Sequence, residues 1–318
     1  MSRRKITTII ATFGIAAVFL AGVFFDRTVE YNFLQKNVGE ENARGTKPQG
    51  VNFSVFWEAW RLIEANFVGA KNLNHEIMVY GAVSGLAESL GDPNTEFLNP
   101  EATARFRERI VAGTDLNTIE WKLLEEDIAH IRLFRFTRAS GSDFEEAAPQ
   151  ILESRAKSVI LDLRDNPGGA IDVLASIAGW FFEKGEAIAV VSYGEGRGEL
   201  VYKSQGNGRL GFYPTVILIN KRTASVAEVL SYAMRESKGV KLVGKNSMGK
   251  GSVQQILSLS GDTALRLTTS ILLSPKGHLI PHSGLKPDVE ILMDEAEYGT
   301  ERDAQLNKAV EMLKSGTM

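Results

Sequence analysis

Short, mostly apolar runs alternate along this chain with stretches of helical periodicity, and that alternation restricts the fold more than any other feature. Residues 158–163, 188–193, 215–220 and 240–243 read as strands buried on both faces. Between them, residues 144–156, 171–182 and 225–236 carry apolar side chains at helical spacing. Strands that alternate with helices demand crossover connections and a largely parallel sheet. Upstream, residues 118–124 and 128–136 alternate as half-buried strands, and residues 264–273 and 289–292 add further strand signals. A closing helix is predicted over residues 303–314. The fold class is therefore α/β, a mixed sheet with crossover helices.

Ahead of this core the pattern is helical. Phe53, Phe56, Trp57, Trp60, Ile63 and Phe67 recur at helical spacing, and a second helix is predicted from about residue 74 to 90, stopped by Gly91-Asp92-Pro93. A third, shorter one is expected over residues 100–111. Such a region caps or props a larger domain. The domain division read from the sequence is 1–25 as cytoplasmic tail and membrane anchor, 26–50 as linker, 51–114 as helical region, 115–295 as core and 296–318 as C-terminal helix.

The anchor rests on Arg3, Arg4 and Lys5 followed by an uncharged stretch over residues 6–25 and then Asp26. About 20 apolar residues cross a bilayer as a helix, and basic residues before the stretch keep the N-terminus in the cytoplasm. This predicts a single-pass membrane protein with its folded part outside the cytoplasm, in a periplasm-like space. A cleaved signal peptide is the alternative, since residues 17–22 are rich in small side chains. The net charge of -3 gives no basic field for nucleic acid. The absence of cysteine removes disulfides, thiolate metal sites and a cysteine nucleophile.

Three loops carry candidate chemistry. Asp162-Leu-Arg-Asp-Asn-Pro-Gly-Gly169 follows a buried strand, and its glycines can leave backbone N–H groups bare for an oxyanion; alone, it also reads as a plain turn. Thr223-Ala-Ser-Val-Ala-Glu228 sits between strand and helix, where free N–H groups favour negative charge beside Ser225. Ser225-x-x-Glu228 is equally a capping box. Gly244-Lys-Asn-Ser-Met-Gly-Lys250-Gly-Ser-Val-Gln254 approaches a phosphate-binding loop, but Gly251 stands where that loop needs Ser or Thr. His75, His130, His278 and His282 form no metal pair at helical spacing. No cofactor is expected. A serine triad through His282 stays open, with nothing in favour of it.

Taken together the three loops resemble the C-terminal processing peptidases, also called tail-specific proteases. The match lies in Thr223-Ala-Ser-Val-Ala-Glu-Val-Leu230, in Val243-Gly-Lys-Asn-Ser-Met-Gly-Lys-Gly-Ser-Val-Gln254 and in the separation of Ser225 from Lys250. Leu267-Thr-Thr-Ser270, Gly284-Leu-Lys-Pro-Asp288, Phe56-Trp-Glu-Ala-Trp60 and Leu90-Gly-Asp-Pro-Asn-Thr-Glu-Phe-Leu98 extend it from about residue 53 to 288.

The resemblance implies a crotonase/Clp-protease-like core and a serine endopeptidase. Ser225 would be nucleophile, Lys250 general base and Gln254 the residue that orients the lysine. Gly168, Gly169 and Val226 would donate to the oxyanion, and proteins or peptides would be the substrates. A second copy or an adaptor protein is a further candidate partner. A free lysine titrates near 10.4, so a lysine base at neutral pH needs apolar walls, for which Met248, Val253 and the helix bearing Val229 are candidates. The hydroxyl and amine are expected roughly 2.6–3.2 Å apart.

The sequence departs from the family in one respect. Only about a dozen residues, 107–118, stand where the family carries a PDZ domain, and a domain needs about 50 or more. Capture of a substrate C-terminus by strand addition is therefore in doubt. Two other readings remain: a catalytically silent scaffold on the same fold, and a phosphate-loop NTPase.

Overall fold

The computed structural model describes residues 50–112 and 118–316. The expected membrane segment and most of the linker lie outside these residues. Among the described residues no helix is long and apolar enough to cross a membrane. The chain divides into two compact units, one of residues 50–105 with 255–267, the other of residues 106–254 with 268–316.

The first unit is mostly helical. Helix α1 (Ser54–Asn66) and helix α2 (His75–Glu88) precede strand β1 (Glu96–Leu98) and helix α3 (Pro100–Ala112), which continues into the second unit. Asn74 caps α2 by accepting from Ile77 N at 3.1 Å. The periodicity of α1 predicts a buried face. Instead α1 has no buried residue, and Phe53, Phe56, Trp57, Ile63 and Phe67 are exposed. The rings of Phe56, Trp57 and Trp60 pack on one another.

The second unit is built on a six-stranded sheet. Its strands are β2 (Ile119–Leu124), β3 (Ile128–Leu133), β4 (Ser158–Asp162), β7 (Thr215–Ile219), β8 (Lys241–Gly244) and β11 (Val289–Glu290), in the order β11-β8-β7-β4-β3-β2. All neighbours are parallel except the β2–β3 pair. Helices α4 (Arg138–Glu153), α5 (Ile171–Ala178) and α6 (Val226–Lys238) make the crossovers. Phe144, Ile151, Leu174, Ile177, Val229 and Leu230 join them to Ile131, Leu161 and Ile217 in the main core. On the other face α7 (Ala304–Ser315) seats Leu306, Ala309 and Met312 against Ile160, Val216 and Leu218.

A second sheet is present in addition to the single one expected. Strand β10 (Ala264–Leu273) pairs through its last residues with β5 (Ala187–Ser192), and β5 pairs with β6 (Glu199–Lys203), all antiparallel. In the first unit the opening residues of β10 pair with β1. Strand β9 (Ser252–Ser258) also pairs with β10. Helix α4 starts six residues ahead of its predicted start, because Thr137 caps it and Ser140 completes a capping box. Its polar first turns had hidden the periodicity.

A buried ion network fixes α7 to the main sheet. Arg164, 2% exposed, donates to both oxygens of Asp162 and both of Asp303, at 2.7 to 2.9 Å. Its guanidinium lies 4.4 Å from the Tyr298 ring centroid. Asp303 also caps α7 by accepting from Leu306 N. Burial alone would raise the Asp162 carboxyl, but hydrogen bonds from His130 and Arg164 and the Arg164 charge outweigh it and hold it well below the usual range.

Candidate active site

Three adjacent parallel strands, β4, β7 and β8, end at one edge of the sheet, and the three loops singled out by sequence leave from those ends. Ligands of open α/β sheets bind at such carboxyl ends. The loops are tied together by named bonds, all within the second unit.

The first two loops meet at Asn166. Its side chain donates to Leu133 O and accepts from Gly168 N, both at 2.8 Å, and its carbonyl accepts from Ala224 N at 2.9 Å. Asn220 Nδ2 donates to Asp165 Oδ1 at 2.6 Å, and Thr223 Oγ1 donates to Leu163 O at 2.7 Å. A Cβ on Gly168 would lie 2.8 Å from Ala224 O and 2.9 Å from both Ser225 Cβ and Val226 N, so only glycine lets this loop lie against the start of α6.

Ser225 has φ 56° and ψ -122°, a conformation strained for a residue with a side chain. Such strain, of about 1–3 kcal/mol, gathers at functional sites. The sequence signal for a plain cap does not account for it. Ser225 is half-buried and heads α6, where Val226 N has no intrahelical partner.

The third loop joins the second. Met248 N donates to Thr223 O at 2.9 Å. Glu228, fully buried, accepts from Ser225 N at 2.8 Å, Gly249 N at 2.6 Å, Lys250 N at 2.9 Å and the Ser247 hydroxyl. The sequence read Glu228 as half of a capping box. That accounts for the bond to Ser225 and misses three others, whose donors lie 19 to 22 residues away.

The expected roles divide as follows. Ser225 and Lys250 share one side of the site and are both half-buried, yet no hydrogen bond joins their hydroxyl and amine among the described residues. Catalytic bonds are often longer before substrate binds. Gln254 Nε2 donates to Ser252 Oγ at 2.8 Å and Thr268 Oγ1 at 3.1 Å, and no bond from it to Lys250 is seen among the described residues. The Gly168 amide is taken by Asn166, so in this conformation it does not face an oxyanion. Phe136 uses the Gly168 carbonyl and the Ala170 amide, which turns the Gly169 N–H the opposite way. Of the expected lysine walls Val229 is buried and Val253 packs on the core, whereas Met248 is 49% exposed. The His282 side chain is exposed; its carbonyl lies beside Gly249. Among the described residues no group of His, Asp and Glu could hold a metal ion.

The model of peptidase family S41 matches residues 127–291, more than half of the chain and all three loops. The chain belongs to that family. It is 32% identical over 175 residues to the carboxy-terminal processing protease CtpA of Bacillus subtilis (strain 168), covering 55% of this chain and 37% of that protein. It is 34% identical over 173 residues to a carboxy-terminal-processing protease of Bartonella bacilliformis, covering 53% and 39%. The chain thus spans well under two thirds of the length of these relatives. Among solved structures, the photosystem II D1 C-terminal processing protease aligns with a TM-score of 0.60 at 18% identity, over 74% of this chain and 92% of that one. A lipoprotein from Streptococcus agalactiae aligns with a TM-score of 0.56 at 19% identity, over 82% and 88%. These likenesses bear on the fold alone. They agree with the mixed α/β architecture inferred from the strand and helix alternation.

Proposed function

We propose that the protein is a serine endopeptidase in which Ser225 attacks the peptide carbonyl and Lys250 removes its proton. The observation that carries this reading is the convergence of the Ser225 and Lys250 loops on Glu228, at the edge of the sheet where the Gly168–Gly169 loop also arrives. Hydroxyl attack on the carbonyl forms a tetrahedral oxyanion, the ammonium of Lys250 returns the proton to the amine as the C–N bond breaks, and water then hydrolyses the acyl-serine ester to release the acid and restore the hydroxyl. Gly169 N–H and Val226 N–H are the donors left for that oxyanion. Gln254 would reach Lys250 only by leaving Ser252 and Thr268. Substrates are unfolded or exposed protein segments, cut near C-termini as the names of the relatives describe for those proteins.

The chain is further proposed to be held at a membrane by residues 6–25, with this core outside the cytoplasm. Support comes from the basic cluster and uncharged stretch at its N-terminus. A second copy or an adaptor protein is the proposed partner of the first unit. The exposed aromatic residues of α1 support that reading, since apolar patches of this kind mark contact surfaces.

A second reading, a catalytically silent binding protein, is favoured by the missing Ser225–Lys250 hydrogen bond and by the engagement of Gln254 elsewhere. Incubation with denatured casein separates the two. The peptidase reading expects fragments from the wild type and none from Ser225→Ala; intact casein in both supports the silent protein.

A further inference from the structure

We propose that Glu228 is a positioning residue that holds the backbones of Ser225 and Lys250 in mutual register. The proposal rests on the Ser/Lys peptidase reading. The capping box explains one of the four bonds that Glu228 accepts. The other three come from the Lys250 loop, so the carboxylate reaches out of its helix and joins two separate segments. Its two oxygens divide the work. Oε1 takes Ser247 Oγ and Gly249 N, and Oε2 takes Ser225 N and Lys250 N.

The amides of nucleophile and base thus share one acceptor atom. Their nitrogens can be no farther apart than the two hydrogen bonds laid end to end, 2.8 and 2.9 Å. Glu228 also restrains the strained Ser225 backbone through that amide. On the other side Gly249 has φ +83°, and a Cβ there would fall 2.3 Å from His282 O. The third loop therefore presents its amides to Glu228 only with glycine at 249. The side chains of Ser225 and Lys250 start from this fixed frame. Catalytic groups need placement within about 0.5 Å, and a displacement of about 1 Å costs roughly 100-fold in rate.

Glu228→Gln keeps the shape but in either amide orientation aims an NH2 group at a backbone N–H, that of Gly249 in one and those of Ser225 and Lys250 in the other. With a fluorogenic peptide cut by the wild type, kcat is expected to fall roughly 100-fold with KM within about 3-fold. Amide hydrogen exchange on the full chain gives a readout independent of activity. Peptides covering Ser225 and Lys250 should lose protection together, while β4 stays protected as in the wild type. If Glu228→Gln does not fold, Ser247→Ala removes one donor. Exchange should then rise over residues 244–254 and at Leu285, whose amide also loses the Ser247 hydroxyl as acceptor, with kcat reduced about 5-fold, as expected for loss of one bond to Glu228. Unchanged protection at either loop in Glu228→Gln, unchanged protection over residues 244–254 in Ser247→Ala, or loss of protection spread equally into β4 overturns the proposal. An inactive wild type would count against the peptidase reading alone, and the exchange pattern would still decide the role of Glu228.

Discussion

Gly168 lies against Ser225 so closely that a Cβ on the glycine would sit 2.9 Å from the serine Cβ. Neither residue can shift alone, because Asn166 holds the amide of Gly168 and the carbonyl of Asn166 holds Ala224. Gly168→Ala adds a methyl group where φ is +88° and there is no space for it. A stability loss of about 1–3 kcal/mol is expected, together with a fall in casein cleavage of at least about 10-fold. Urea unfolding and the cleavage assay measure the two effects. A variant as stable and active as the wild type would show that the loop does not set the site.

Gly249→Ala tests the opposite wall. The new Cβ would meet the His282 and Pro281 carbonyls, forcing the amides of residues 249 and 250 away from Glu228. Cleavage is expected to fall roughly 100-fold while β4 keeps its protection from hydrogen exchange. Wild-type activity in this variant would contradict the role given to the third loop.

Arg164→Met removes the cation that neutralises two buried carboxylates. Breaking a buried pair from one side costs about 3–5 kcal/mol, so the urea midpoint should drop sharply. Because α7 hangs on the same network through Asp303, its amides should lose protection first. A midpoint within experimental error of the wild type would contradict this.

Asp162 sets the expected acid sensitivity. Its folded-state pKa lies below the unfolded value near 3.9, so its stabilisation is complete above that value and is lost as pH falls through the folded one. The unfolding free energy of the wild type should decline as pH drops below about 5. Asp162→Asn should be less stable at neutral pH and show a shallower decline. An equal slope in both proteins would mean that other carboxylates govern acid unfolding.

Much of the candidate site could be read from sequence because it sits where buried strands stop. The runs read over residues 158–163, 215–220 and 240–243 marked three strand ends within one residue of those observed at Asp162, Ile219 and Gly244, and parallel pairing brought the loops after them to one edge. Ser225 stood out only through its neighbours in sequence; the strain in its backbone has no local sequence signal. Glu228 was legible as a cap, but three of its four donors come from a distant loop, and long-range polar contacts leave no periodicity to detect. Strand β9 was hidden because Gly251-Ser-Val-Gln254 reads as the tail of a loop. Strand β1, three residues long, is too short to show a pattern. The apolar stripe of α1 predicted its helical form correctly but not its exposure, since periodicity reports a face and not what covers it.

The central claim is that the Lys250 amine acts on the Ser225 hydroxyl. Its most direct test is kcat for cleavage of one peptide by wild type, Ser225→Ala and Lys250→Ala, each checked for an unchanged melting temperature. A Ser/Lys pair predicts that both variants lose at least about 1,000-fold, as removal of members of a catalytic unit does. A Lys250→Ala variant that retains wild-type kcat while Ser225→Ala is inactive would contradict it.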